Sequence, residues 1–391
     1  MDTIFHTILA EHLHDDVQQL ALQRNRYPQL SDTDFRFLLQ QVEGWQRTKN
    51  KLPTFAQTAD WWYPVRLSCE QCSSEATARY KATLIAPYAY NVLIDLTAGY
   101  GVDTFFMSEH ISEAHYVERN AELCAIAKHN FSLYRPHIQV HNTTAEEFFT
   151  SILSTFNTQS SVLIYLDPAR RSQSGGKVFR IEDCEPNVIE MLPTLRKYAS
   201  AIMIKFSPML DISAAMQSLG NKWDVHVVAL HNEVKEVLFS TGQSTIHAVN
   251  IDHDNTTCFT FTQSEEKAAQ CTMANTIDKY IYEPNASIIK AGAYRLVGKR
   301  HDLNKLDTNT HLYTSNNLLP DFPGRVWKVI DTHITKPSDL NPKYKYSILS
   351  RNYPLSPEQI RKKYKLQDGN DFYLIGARHA GKPTLILASR C

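Results

Sequence analysis

What this 391-residue chain lacks bounds it first. No apolar run approaches the roughly 20 residues that a membrane-spanning helix needs, so no membrane association is expected. The opening Met1-Asp2-Thr3-Ile4-Phe5-His6 does not follow the basic-then-apolar order of a secretory leader. Seven cysteines, an odd number in a long chain, argue against a disulfide framework. Together these point to a cytoplasmic address. Cys69-x-x-Cys72 has the spacing of half a zinc site, but no second Cys or His pair matches it, and His12 and His14 stand alone. No metal is therefore expected. Internal repeats and low-complexity tracts are absent too, and 43% hydrophobic with 21% charged residues is ordinary for a globular protein.

Net charge is also missing: 41 Lys and Arg stand against 41 Asp and Glu. The balance is uneven along the chain. From Ile281 to Cys391 there are 18 basic and 9 acidic residues, against 23 and 32 in the remainder. A basic C-terminal third reads as a footprint for a polyanion, or as a solvated basic face with no partner.

What is present centres on one stretch. Val92-Leu93-Ile94 reads as a buried strand and runs into Asp95-Leu96-Thr97-Ala98-Gly99-Tyr100-Gly101-Val102-Asp103. Thr104-Phe105-Phe106-Met107 follows as a helix start. Strand, glycine turn and helix end together make a pocket for a nucleotide-like ligand. Glycine permits φ > 0 and close backbone approach, and the helix end offers free N–H groups. Glu118 closes His115-Tyr116-Val117, a second strand, where an acidic residue binds ribose hydroxyls. Val162 to Leu166 then runs into Asp167-Pro168-Ala169-Arg170-Arg171, placing a carboxylate at the tip of a fourth strand beside the crevice. Each feature has a plainer alternative. The glycines could form only a tight turn, and Asp103 only a helix cap. Glu118 could pair with a surface lysine, and Arg170 and Arg171 could face solvent.

The alternation around these motifs argues for a parallel, doubly wound α/β sheet. Strands are expected at 92–95, 114–117, 137–141, 161–167 and 200–206, and helices at 103–110, 119–131, 144–156, 187–198 and 211–219. Residues 1–85 read as helical, with stretches at 3–22, 32–43 and 70–86. Apolar runs at 223–230 and 236–240 form a hairpin, followed by short strands at 245–249 and 258–261. Polar Gln263 to Gln270 marks a boundary, and beyond Ile281 the pattern mixes a helix at 286–298 with strands at 326–330, 372–376 and 384–388.

These residues resemble class I S-adenosylmethionine-dependent methyltransferases, and more closely a bacterial branch with a THUMP-like C-terminal domain. The resemblance rests on Glu70 to Ala78, Asp95 to Asp103, Tyr116-Val117-Glu118, Asp167 to Arg171, Lys205-Phe206-Ser207-Pro208 and Tyr282-Glu283-Pro284-Asn285-Ala286. It implies a Rossmann-like sheet with an antiparallel edge hairpin, a helical N-terminal region and a smaller α+β C-terminal domain. The divisions it implies are 1–85, a methyltransferase domain at 86–270, a small ferredoxin-like or linking region at 271–320, and a THUMP-like domain at 321–391. The implied cofactor is S-adenosylmethionine, held by Gln71, Ser74, Asp95, Thr97, Ala98, Gly99, Gly101, Asp103, Glu118, Thr144 and Ala145. Asp103 would lie near the methionine moiety and Thr144 near the adenine, although Thr144 with Glu147 is also a helix cap.

Asp167, Pro168 and Arg170 are the catalytic candidates. Methyl transfer is a direct displacement, so the enzyme mainly positions the acceptor and keeps its lone pair free. The segment resembles the Asp-Pro-Pro-Tyr motif of amino-methyltransferases, but Ala169 and Arg170 replace the proline and the aromatic that would stack on a base. Arg170 and Arg171 could instead hold a phosphate or carboxylate. Lys205 and Ser207 are substrate-side candidates. Ser207 falls where pyrimidine-C5 methyltransferases place a cysteine, and Cys184 is the only nearby thiol the sequence offers, so a covalent route is not expected. RNA, tRNA included, is the implied substrate, with Arg361, Lys362, Lys363 and Lys365 the densest basic group. Two rival readings remain: a non-catalytic RNA-binding protein that keeps the pocket, and a dinucleotide-dependent oxidoreductase. Against the second, the third glycine of G-x-G-x-x-G is replaced by Thr104.

Overall fold

The computed structural model describes residues 3–151, 161–170, 181–220, 222–253 and 255–391. They form two compact units, Met1–Asn221 with Leu238–Thr241, and Lys222–Val237 with Gly242–Cys391.

In the first unit, helices α1 (Thr3–His12), α2 (Val17–Ala21), α3 (Asp32–Thr48), α4 (Pro53–Gln57), α5 (Arg66–Gln71) and α6 (Glu75–Ile85) precede the sheet. Two stretches expected as single helices are split. Asp16 caps α2 after the break that ends α1. Ser74 accepts the Thr77 N–H and starts α6, so the chain turns at Cys72-Ser73. A serine that caps competes with continued helix, which is why 70–86 does not run straight through.

Strands β1 (Val92–Asp95), β2 (Glu113–Glu118), β3 (Ile138–Asn142), β4 (Val162–Leu166) and β7 (Ala201–Phe206) pair in parallel. Between them lie α7 (Val102–Met107), α8 (Ala121–Tyr134), α9 (Ala145–Ser151), α10 (Val188–Tyr198) and a small ribbon of β5 (Ala169–Arg170) with β6 (Cys184–Glu185), and α11 (Ile212–Leu219) follows β7. The expected end of the third helix, 152–156, lies outside the described residues. All of β1 and β4 is buried, as expected for parallel strands covered on both faces. Phe55, Trp61, Phe105, Phe106, Tyr116 and Phe131 join one core cluster with residues of that sheet.

Strands β8 (Trp223–Leu230), β9 (Glu233–Thr241), β10 (Thr245–Asp252) and β11 (Asn255–Thr262) complete the order β3-β2-β1-β4-β7-β9-β8-β10-β11. His231 and Asn232 join β8 to β9 with φ of 50° and 63°, the two left-handed residues of a hairpin turn. The margin is thus broader than one hairpin and mixed, because β10 pairs parallel with β8 and β11 antiparallel with β10. The order reverses at β1, which has β2 on one side and β4 on the other. Ligands of open α/β sheets bind at such a reversal, beyond the C-terminal strand ends.

In the second unit, α12 (Gln263–Ala268), α13 (Ala286–Ala291), α14 (Leu296–Arg300) and α15 (Pro357–Tyr364) accompany an eight-stranded sheet. Its strands are β12 (Tyr280–Pro284), β13 (Asn304–Asp307), β14 (Thr310–Ser315), β15 (Gly324–Asp331), β16 (Lys345–Arg351), β17 (Gln367–Asp368), β18 (Phe372–His379) and β19 (Lys382–Arg390). The helix expected at 286–298 is two helices, because Gly292 adopts φ 85° and ends α13.

Candidate active site

The first unit contains a cavity of about 630 Å³ at the β1/β4 reversal. Its floor is the turn after β1. Asp95 is fully buried and does not reach out. Its carboxylate accepts the Thr97 N–H at 3.2 Å and the Thr104 hydroxyl at 2.6 Å, bracing the turn from inside. Burial pushes its carboxyl up to about 7, and the two hydrogen bonds offset only part of that.

The two glycines serve different ends. Gly99 has φ 56°, and a Cβ there would meet no protein atom within 4 Å, so this residue bares its backbone to the cavity. Gly101 has φ 82°, and its Cβ would come within 2.7 Å of the Phe131 ring and 3.1 Å of Tyr116. It lets the loop lie flat on the core. Behind the loop, the Tyr116 hydroxyl donates to the Gly99 carbonyl. Glu118, at the tip of β2, accepts the Gly99 N–H at 3.0 Å with one oxygen and the Asn120 N–H at 2.7 Å with the other.

Just after the glycine turn, in the first turn of α7, Asp103 sits in a web of donors. Ser73 and Tyr165 donate to it at 2.8 and 2.7 Å, the fully buried Lys81 ammonium lies 3.2 Å away, and Lys205 lies 3.7 Å away. Burial alone would raise the Asp103 carboxyl. Lys81, Lys205 and the two hydroxyls outweigh it and hold the carboxyl below the usual Asp range. Lys205 also approaches Asp167 to 2.5 Å and Ser73 to 3.2 Å, so one ammonium joins two carboxylates. The Asp167 N–H donates to Thr97 at 2.5 Å, fixing the end of β4 to the glycine turn.

The cavity wall gathers Gln71, Asp95, Thr97, Ala98, Gly99, Gly101, Asp103, Glu118, Thr144, Asp167 and Lys205 from the expected residues. Thr144 exchanges hydrogen bonds with Glu147 at the start of α9, so it is a cap and a wall residue together. Ala145 is buried within α9, and its neighbour Glu146 lines the wall instead. Ser74 caps α6, Pro168 is buried, and the Ser207 hydroxyl accepts the Met209 N–H. None of these three lines the cavity. The Arg170 backbone pairs with Cys184; Arg171 lies outside the described residues. Arg361, Lys362 and Lys363 lie on α15 in the second unit, where Arg361 pairs with Asp368 at 2.7 Å.

Sequence reasoning did not single out Lys81 or Tyr165, and weighed Cys72 only as half of a zinc site. Cys184 is buried off the wall, whereas Cys72 lines it. Burial raises the Cys72 thiol, which donates to the Cys69 carbonyl at 3.2 Å. A thiol kept protonated is a poor nucleophile.

The chain is similar over nearly its whole length to the crystal structure of a provisionally named methyltransferase from Porphyromonas gingivalis W83. Identity is 32% and the TM-score 0.87, with 99% of this chain and 98% of that one covered. It belongs to this methyltransferase family. Uncharacterized S-adenosylmethionine-dependent methyltransferases from two Mycobacterium tuberculosis strains are 23% identical over 264 residues, 67% of this chain and 68% of theirs. The methyltransferase uses S-adenosylmethionine, and the oxidoreductase reading is set aside. Residues 280–323 match a ferredoxin-like domain and residues 324–390 a THUMP domain-like family. The glycine turn suits the cofactor, since a Cβ at Gly99 would occupy the space the cavity leaves open there.

Proposed function

We propose that this methyltransferase modifies RNA, tRNA included, in the cytoplasm, by direct displacement with no covalent enzyme–substrate bond. The carrying observation is the Asp167–Lys205 pair on the cavity wall, 2.5 Å apart, with Asp103 on the same ammonium. Bound S-adenosylmethionine supplies an electrophilic methyl on a sulfonium. Glu118 would hold the ribose hydroxyls and the Gly99–Gly101 backbone the body of the ligand, with Asp103 and Gln71 toward the methionine end and Thr144 toward the adenine. Asp167 would accept a hydrogen bond from the acceptor N–H or O–H and take up its proton, while the methyl–sulfur bond of the donor breaks and S-adenosylhomocysteine leaves. Lys205 keeps Asp167 turned toward the cavity.

The RNA assignment is supported by the THUMP domain-like match at 324–390 and by the basic excess after Ile281. Incubating the protein with methyl-labelled S-adenosylmethionine and cell fractions tests it. Label should enter RNA, and Asp167→Ala should abolish transfer while leaving cofactor affinity nearly intact. Label confined to protein or small molecules rejects the RNA substrate. Transfer unaffected by Asp167→Ala rejects its catalytic role.

A further inference from the structure

Outside the cavity, one group of three metal-ligating side chains converges among the described residues. His231, Asp252 and His253 place one ligand atom each within 4.8 Å of one another, all three residues being exposed. His231 opens the β8–β9 turn, Asp252 ends β10, and His253 begins the turn into β11. Asp252 Oδ1 is 2.8 Å from His231 Nδ1 and 3.9 Å from His253 Nε2. Bonds of about 2.0–2.2 Å to a tetrahedral zinc put ligand atoms about 3.3 Å apart, a spacing these two distances bracket. The two imidazole rings are 4.8 Å apart at 48°.

The local backbone brings the ligands together before any ion arrives. The His231 N–H donates to the Ile251 carbonyl at 2.9 Å, and the Asn232 N–H to the Asn250 side chain at 2.8 Å. The β8–β9 turn is therefore tied to the last residues of β10. Two imidazoles and one carboxylate suit zinc, cobalt or nickel, whereas magnesium and calcium favour all-oxygen sites.

We propose that this cluster binds a divalent transition-metal ion, pinning the tips of the two hairpins together. The effect would reach further than the turns. Asn232 Oδ1 accepts the Ala286 N–H at 2.7 Å, so the same turn holds the start of α13 just after Tyr282-Glu283-Pro284-Asn285. The site stands apart from the proposed methyl-transfer chemistry and survives its failure.

Zinc titration of the full chain by calorimetry, against His231→Asn, His253→Asn and the double variant, tests the proposal. Asparagine accepts the left-handed backbone at both positions, so the metal-free variants should melt as the parent does. The parent should bind one more zinc ion than the double variant, and each single change should weaken that site by roughly tenfold or more. Magnesium should give no such difference. Equal zinc uptake by the parent and the double variant overturns the site. On the parent chain alone, zinc should also shield His231 and His253 from diethyl pyrocarbonate, read by mass spectrometry. Unchanged labelling of both overturns it independently of any variant.

Discussion

At the scale of single residues, Glu118 ties the fold to the cavity wall. Its two oxygens already accept the Gly99 and Asn120 N–H groups, yet it also lines the cavity. Glu118→Ala should therefore weaken S-adenosylhomocysteine binding by about 1–3 kcal/mol, through lost ribose contacts and a looser turn. Calorimetry measures this, and an unchanged affinity would exclude Glu118 from the cofactor site. Glu118 and Asp167 were legible in the sequence because each ends an apolar run at the sheet's carboxyl edge. Ser73 and Tyr165 were harder to assign, since they meet Asp103 across 30 and 62 residues of chain. No local spacing encodes such a meeting. Lys81 reads as one more polar helix residue until the fold buries it against Asp103. The His231 site is hidden the same way, its ligands lying in two separate turns.

At the scale of elements, runs of apolar residues revealed the buried strands, while caps and left-handed turns broke helices that periodicity alone continued. Strands β12 to β14 and β16 went unmarked because their polar and aromatic residues blur the alternation. Between β8 and β10, His226 and His247 stack at 4.5 Å, with ring planes 11° apart. Burial first, and His247 second, push the His226 imidazole down to about 3. In the unfolded chain a histidine titrates near 6.5, so between about 6.5 and 3 the unfolded state holds the extra proton. This contribution is fully present above pH 6.5 and is lost as pH falls through that window. From pH 7 to 5 it should cost about 2 kcal/mol, at 1.36 kcal/mol per unit. Asp95, raised to about 7, acts in the opposite direction as the medium acidifies. The difference between the parent and His226→Phe in urea midpoints at pH 7 and 5 isolates the histidine. An equal loss in both proteins would discount it.

At the scale of the whole molecule, charge is segregated along a chain with no net charge. Lys362 and Lys363 are exposed on α15, the densest basic helix. If α15 meets phosphates, RNA affinity should fall steeply with salt, and Lys362→Glu with Lys363→Glu should weaken binding and flatten that slope, sparing cofactor affinity. Filter binding that ignores both changes would place the RNA surface elsewhere. The aromatic packing ahead of β1 bears on how the protein can be divided. Phe55 stacks on Trp61 with centroids 3.9 Å apart and meets Phe105 edge-on at 5.0 Å, and the Trp61 indole donates to the Tyr100 hydroxyl at 2.8 Å. Tyr100 lies between the two glycines of the turn after β1. The segment before the sheet thus backs that turn, and trimming the gene to the sheet and its own helices would strip the turn of its support.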